Sequence, residues 1–255
     1  MKKYFFAFVA LFFAACVHTS SEFVNVSLPS FKPQEQAQVD VPSSGIRVAV
    51  RALEVEQNNN YSDDFENSIL RIRMQKEAEL LKQNLEEQMR VVVGLKGYEL
   101  SEGVADYNLV GLIKIYIDEK EAKRADEWLS GSYVASKLGL KFEARLDFID
   151  AHNPQNVTNI TSNTKLDSWI DINYPVKSDG GLGPFKTTLS TVPTQINKGL
   201  ERPAFEIDKA FIAFYKNTLN SLNAHLPAAE NMQKTNADYN EFKGGVDGDG
   251  VEIFE

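Results

Sequence analysis

Polar and apolar positions alternate with period two in several stretches of this chain and recur every three or four residues in two others. From Ile46 to Val55, the residues Ile46, Val48, Val50 and Ala52 fall on one face, with Arg47, Ala49, Arg51 and Leu53 on the other. That alternation predicts a strand, ended by the loop-forming run Gln57-Asn58-Asn59-Asn60. From Asp63 to about Val93 the period changes: Leu70, Met74, Ala78, Leu81, Leu85, Met89 and Val92 recur at spacings of 4, 4, 3, 4, 4 and 3. They draw one apolar stripe along a long helix, capped near Ser62, Asp63 or Asp64 and ended by Gly94 and Gly97. Lys76, Glu79, Lys82, Glu86 and Glu87 occupy its wet faces. Tyr107–Asp118 predicts a second strand, apolar on both faces near Val110 and Leu112 and so central. Gly139–Ile149 predicts a third, with Leu140, Phe142, Ala144, Leu146 and Phe148 opposite Lys141, Glu143, Arg145 and Asp147. The turn His152-Asn153-Pro154-Gln155 leads into a Thr-rich fourth, Val157–Tyr174.

A second helix starts at Pro203, where the missing N–H costs nothing, and stops at Pro227. Ile207, Phe211, Tyr215, Leu219, Leu222 and Leu226 form its stripe. Two one-sided helices need a common surface. The expected fold is therefore α+β: an antiparallel or mixed sheet of about four strands, with the long helix and the C-terminal helix packed on one face. Two segments lack a period. Glu119–Leu138 reads as a charged, solvated insertion between strands, and Pro175–Arg202 as a long loop with Gly180-Gly181 and Gly183-Pro184.

The first twenty residues follow another plan. Lys2 and Lys3 precede an unbroken apolar run from Tyr4 to Phe13, then Ala14, Ala15 and Cys16, the only cysteine. This is a secretory signal, too short for a bilayer span, which takes about 20 apolar residues. The pattern resembles the bacterial lipobox, although Phe13 stands where that motif favours Leu. Cys16 is then the lipid-bearing first residue of the mature chain. The expected organisation is a signal over 1–15, a lipid-anchored tether over 16–44 with Pro29, Pro33 and Pro42, an α+β domain over 45–227 and an acidic tail over 228–255. The alternative for Phe23–Leu28 is an edge strand docked on the domain.

Composition narrows the chemistry. The net charge of −9 gives a nucleic acid no basic face and repels anionic lipid, so lipid on Cys16 has to supply the membrane affinity. His18, His152 and His225 lie apart, and no nucleophile elbow, phosphate loop or dinucleotide fingerprint occurs. Neither an enzyme nor a cofactor is expected. Asp247–Glu252 resembles a calcium loop only faintly, since Val251 holds a ligand position. The best binding candidates are Lys123, Arg124, Trp128 and Tyr133 in the insertion. The two cations can hold a carboxylate and the aromatic faces can stack on a sugar ring. Glu121, Asp126 and Glu127 offset those cations, so the same segment also reads as an ordinary solvated loop.

Taken in order, the strand RVAVRAL, the helix opening YSDDFENSI, the exit GLKGYELS, the strands YNLVGLIKIYI and GLKFEARLDFID, the loop SDGGLGPF and the Phe-rich last helix resemble the neuraminyllactose-binding haemagglutinin family of Helicobacter lipoproteins. The resemblance implies an outer-membrane or flagellar-sheath lipoprotein at the cell surface, an adhesin for sialylated glycans. It also implies a basic Lys-Arg-Thr sugar motif. Lys123 and Arg124 match two of its positions, while Ala125 replaces the Thr. A structural or assembly lipoprotein that binds another envelope protein is the competing expectation. Val17, rather than Asp, follows the cysteine, which accords with an outer-membrane location.

Overall fold

The computed structural model describes residues 23–33, 43–127, 131–177 and 189–232. Cys16, Trp128, the signal, the Asp247–Glu252 stretch and the acidic tail beyond 232 lie outside them. Nine strands occur among the described residues: β1 (Phe23–Asn25), β2 (Arg47–Val50), β3 (Glu54–Asn60), β4 (Glu99–Leu100), β5 (Tyr107–Glu127), β6 (Gly131–Asp150), β7 (Val157–Lys165), β8 (Ile170–Val176) and β9 (Gln195–Asn197). The principal helices are α1 (Asp63–Glu66), α2 (Ile69–Leu95) and α3 (Glu201–His225).

The main sheet is mixed and has seven strands in place of the four expected. The excess is mostly interruption. β2 and β3 lie along the same side of β5, both parallel to it, with a break at Arg51–Leu53. β7 and β8 lie in succession along the far edge of β6. Only the two-residue β4 is a wholly additional piece. The Gln57–Asn60 run, expected to be loop, continues β3: it pairs with Ile115–Asp118, and Asn60 donates to Asp118 at 3.1 Å. Ladder hydrogen bonds outweigh the turn preference of Asn, because strand propensity depends on context.

The stripe read along the first helix is buried throughout, from Leu70 to Val92, and so is that of α3. The single helix expected from Asp63 is two. Ser62 caps α1 by accepting from Phe65 N–H, and Ser68 caps α2 by accepting from Arg71 N–H at 3.2 Å. Each serine satisfies a first-turn amide that would otherwise lack a partner. Both helices cover one face of the sheet. The inward residues of β6, Leu138 to Phe148 at even positions, are buried, and Phe142 packs on Phe211 and Phe214 of α3 at 4.8 and 5.2 Å between ring centres. Gly111 of β5 lies beneath this layer, where an added Cβ would approach Leu53 and Leu146 to 2.3 and 2.6 Å.

Two segments read as unstructured are partly built into the domain. Within the stretch expected to be tether, Phe23–Asn25 pairs antiparallel with Gln195–Asn197, inside the stretch expected to be loop, and Phe31 is buried. Past Pro227, residues 229–232 are helical, and Ala229 N–H donates to Lys96 O at 2.9 Å. In both cases apolar residues find cover on a surface built by distant parts of the chain.

A buried ionic cluster holds the strap Phe23–Phe31. Arg73 of α2 is fully buried. It binds Asp208 of α3 through two nitrogens at 2.9 to 3.2 Å, and donates to the carbonyls of Val26, Ser27 and Pro193 at 2.7 to 3.1 Å. Glu77, one turn on, puts Oε1 2.8 Å from Arg73 Nε, but neither of its oxygens completes a hydrogen bond of good geometry. Burial, and then the Asp208 charge, push the Glu77 carboxyl well above the usual carboxylate range, against the pull of Arg73. An acid whose folded pKa is raised adds stability at low pH and loses it as pH climbs from the unfolded value through the folded one. Glu77→Gln is therefore expected to stabilise the protein by on the order of 1–2 kcal/mol at about pH 8 and to have little effect near pH 4. Thermal melts across that range check it, and an equal change at both ends would contradict it.

Candidate functional site

The segment Glu119–Leu138, expected to be a solvated insertion, forms the outer halves of β5 and β6. Its Glu-, Lys- and Ala-rich composition favours a helix in isolation. Pairing with Ser132–Lys137, themselves backed by β8, draws it into a hairpin arm instead. The register slips between Lys120 and Lys123, where Glu121 adopts φ of 56°. Such a bulge re-aims the side chains beyond it. A non-glycine residue in that region costs on the order of 1 kcal/mol. The Glu121 carboxylate meets Lys137 Nζ at 2.6 Å, a contact that lowers its pKa.

The inner face of the arm is fastened to α1. Glu119 accepts from Ser136 Oγ and Tyr174 OH through one oxygen, both at 2.7 Å, and from Ser62 N–H and Oγ through the other, at 3.0 and 2.7 Å. Burial works to raise the Glu119 pKa, but these hydrogen bonds outweigh it and hold the carboxyl low. Burial, with Glu119 adding to it, moves the Tyr174 phenol upward.

Of the predicted site residues, the cations Lys123 and Arg124 do not converge. Past the bulge, Arg124 pairs with the buried Val134 and Lys123 with the exposed Ala135, so the two cations point to opposite faces of the arm. Arg124 turns inward, to Asp64 of α1 at 3.4 Å and Asp126 at 3.1 Å. Lys123 shares the outer face with Tyr133. Trp128 lies outside the described residues. In this register Lys123 and Arg124 lie on opposite faces, so a carboxylate would meet one or the other of them and not both.

Two open clefts flank the outer side of the arm. One, of about 370 Å³, is lined by Glu121, Lys123, Lys137, Asp171, Asn173 and Gly199 among others. The other, of about 390 Å³, holds Asp167, Ser168, Trp169, Asp171, Arg202 and Glu206. Trp169 escaped the sequence reading because it was assigned to the fourth strand; the break between β7 and β8 exposes it. Its ring lies against Gly139, where a Cβ would come within 2.8 Å, and Lys120 Nζ sits 3.8 Å from its centroid. Arg73, Glu77 and Asp208 also went unread, since nothing in the local pattern marks a charge on an apolar stripe as paired. Among the described residues there is no cluster of three or more metal-ligating side chains, and no helix is long and apolar enough to cross a membrane.

The edge of β5 is the other open feature. β3 leaves β5 at Asp118, and no strand among the described residues pairs with this side of β5 from 119 to 127.

No family model matches the chain, and no curated protein matches it. Among solved structures it is similar to a neuraminyllactose-binding hemagglutinin homolog from Helicobacter pylori, with 14% identity and a TM-score of 0.41 over 85% of this chain and 98% of that one. A minor lipoprotein from Acinetobacter baumannii scores 0.25 at 9% identity, over 70% and 92% of the two chains. A lipoprotein from Neisseria meningitidis scores 0.22 at 12% identity, over 48% and 83%. Likenesses this distant carry no argument about what the arm binds.

Proposed function

We propose that this chain is an envelope lipoprotein, held at the outer membrane by lipid on Cys16, that acts by binding rather than catalysis. Its binding element is the arm, and its partner is an extended segment of another envelope protein laid along the open edge of β5. The observation behind this reading is the nine-residue length of β5 beyond its last β3 partner. An unpaired strand edge presents a row of N–H and C=O groups that templates another strand. The inner side of the arm is meanwhile fixed by Glu119 and Arg124, so the edge is presented on a rigid support. A photo-crosslinking residue placed at Ala122 or Ala125 in the intact envelope should give a discrete protein adduct, with none from Asn159 on the far side of the sheet. Equal labelling from all three positions, or none from the arm, would remove the edge as the site.

A second reading, adhesion to a sialylated glycan at the cell surface, is favoured by one observation: Lys123 opens onto the 370 Å³ cleft and shares a face with Tyr133. In that case Lys123→Ala weakens sialyllactose binding about tenfold, the scale of one charged hydrogen bond. Arg124→Ala changes it little, because that side chain is engaged on the opposite face. A titration that shows no binding by the wild type at millimolar sugar ends this reading.

A further inference from the structure

We infer that the pole of the domain bearing Phe23, Lys123, Lys198, Trp169 and Arg202 is a bilayer-facing surface that takes phospholipid headgroups. The inference rests on the reading of Cys16 as the lipid-bearing residue.

Length supplies the first argument. A free tether from Cys16 to Ser44 would let the domain stand up to roughly 90 Å from the membrane. The strap removes most of that reach. Phe23 is already in β1, and Arg73 holds the carbonyls of Val26 and Ser27 from the buried side. Seven peptide units separate Cys16 from Phe23. Fully extended, they span about 25 Å. α2 alone, with 27 residues, is about 40 Å long. At Phe23 the domain therefore stays within about 25 Å of the surface, against roughly 90 Å for a free tether, and the pole around Phe23 is the part held nearest to it.

Placement supplies the second. Phe23 pairs with Asn197, which leads directly into the 3-10 turn Lys198–Leu200. Gly199 of that turn lines the cleft with Lys123, Lys137 and Asp171. Asp171 also lines the adjoining cleft, with Trp169 and Arg202. These groups therefore form one continuous surface at the anchored end.

Chemistry supplies the third. The chain carries a net charge of −9, yet at this pole Lys120, Lys123, Lys137, Lys198 and Arg202 match Glu121, Asp167, Asp171, Glu201 and Glu206 one for one, so the pole is less acidic than the chain as a whole. Phe23 and Trp169 are 38% and 41% exposed, among the few large apolar side chains left open. Aromatic rings beside long cationic side chains suit the membrane interface, where the ring sits at the level of the headgroups and the cation reaches phosphate. Each cation near an anionic surface contributes roughly 1 kcal/mol, while the remaining acidic surface is turned away by repulsion. In this orientation both clefts face lipid, which leaves the open edge of β5 as the feature available to a protein partner.

The chain has two tryptophans, so Trp128→Phe leaves Trp169 as the only indole. The lipidated full-length variant is reconstituted in vesicles of phosphatidylethanolamine and phosphatidylglycerol containing a phospholipid spin-labelled near the headgroup. Trp169 emission should fall about twofold relative to unlabelled vesicles, as expected for an indole at the interface. Inserting roughly 20 Gly and Ser residues between Ser21 and Glu22 should restore most of it, since a flexible linker frees the domain. Lys123→Glu with Arg202→Glu should restore part of it. If the protein floats with the vesicles but Trp169 stays unquenched on the short leash, the inference is overturned while the lipoprotein reading stands. A protein that does not float overturns both.

Discussion

Arg73→Ala is expected to cost the fold about 3–5 kcal/mol, the range for breaking a buried ion pair by removing one partner. In a domain of this size that lowers the melting temperature by roughly 10 °C or more. Several losses combine. Asp208 loses its ion pair, Glu77 loses the neighbouring guanidinium, and the carbonyls of Val26, Ser27 and Pro193 lose their donor. The strap should suffer beyond the global effect. The amide of Val26, which donates to Thr194 O at 2.8 Å, ought to exchange its hydrogen much faster than the amides of α2. The triple replacement Arg73→Met, Glu77→Leu, Asp208→Leu separates the two roles. Apolar side chains of similar size can restore the packing between α2 and α3. They offer no donor to the strap, so fast exchange at Val26 should persist in the triple variant even when the melting temperature recovers. A loss below about 1 kcal/mol in Arg73→Ala would show that the cluster is not what joins these elements.

Phe142→Ala is the second large effect, at about 3–5 kcal/mol. Phe142 is fully buried in β6, the strand that is paired along both sides, and it packs on Phe211 and Phe214 of α3. Truncation opens a cavity between two rigid elements. The sheet is fixed by its ladder and α3 is fixed by α2, so neither can collapse into the space, and the cost should fall at the upper end. Urea unfolding measures it. A double-mutant cycle with Phe214→Ala should return a coupling of about 0.5–1.5 kcal/mol, the usual worth of an aromatic pair beyond its buried area. Additive effects would mean that the two rings do not pack as described.

Periodicity located both long helices and the inner parts of the main strands, because burial on one side of a helix or strand repeats at 3.6 or 2 residues whatever the partner. The stripes from Leu70 to Val92 and from Ile207 to Leu226, and the alternation from Leu140 to Phe148, needed no knowledge of what they would meet. Boundaries were harder where local preference and tertiary pairing disagreed. Asn58–Asn60 and the Lys- and Glu-rich outer half of β5 are strand only because a neighbour supplies a ladder. A strand there would have placed Lys123 and Arg124, as adjacent residues, on opposite faces; the helix-forming composition of the segment concealed that signal.

By itself, then, the sequence determined the mixed helix-and-sheet class, the faces each element buries and the expectation of an anchored, acidic chain. These follow from near-neighbour patterning and from composition. Only the tertiary structure decided the direction in which β2 and β3 run beside β5, the capture of the strap by Arg73, and the engagement of Arg124 with Asp64. Each of these joins residues tens of positions apart, and each depends on a partner that offsets the cost of taking charges and backbone groups out of water. No window along the chain contains both partners, so no local pattern can record the match.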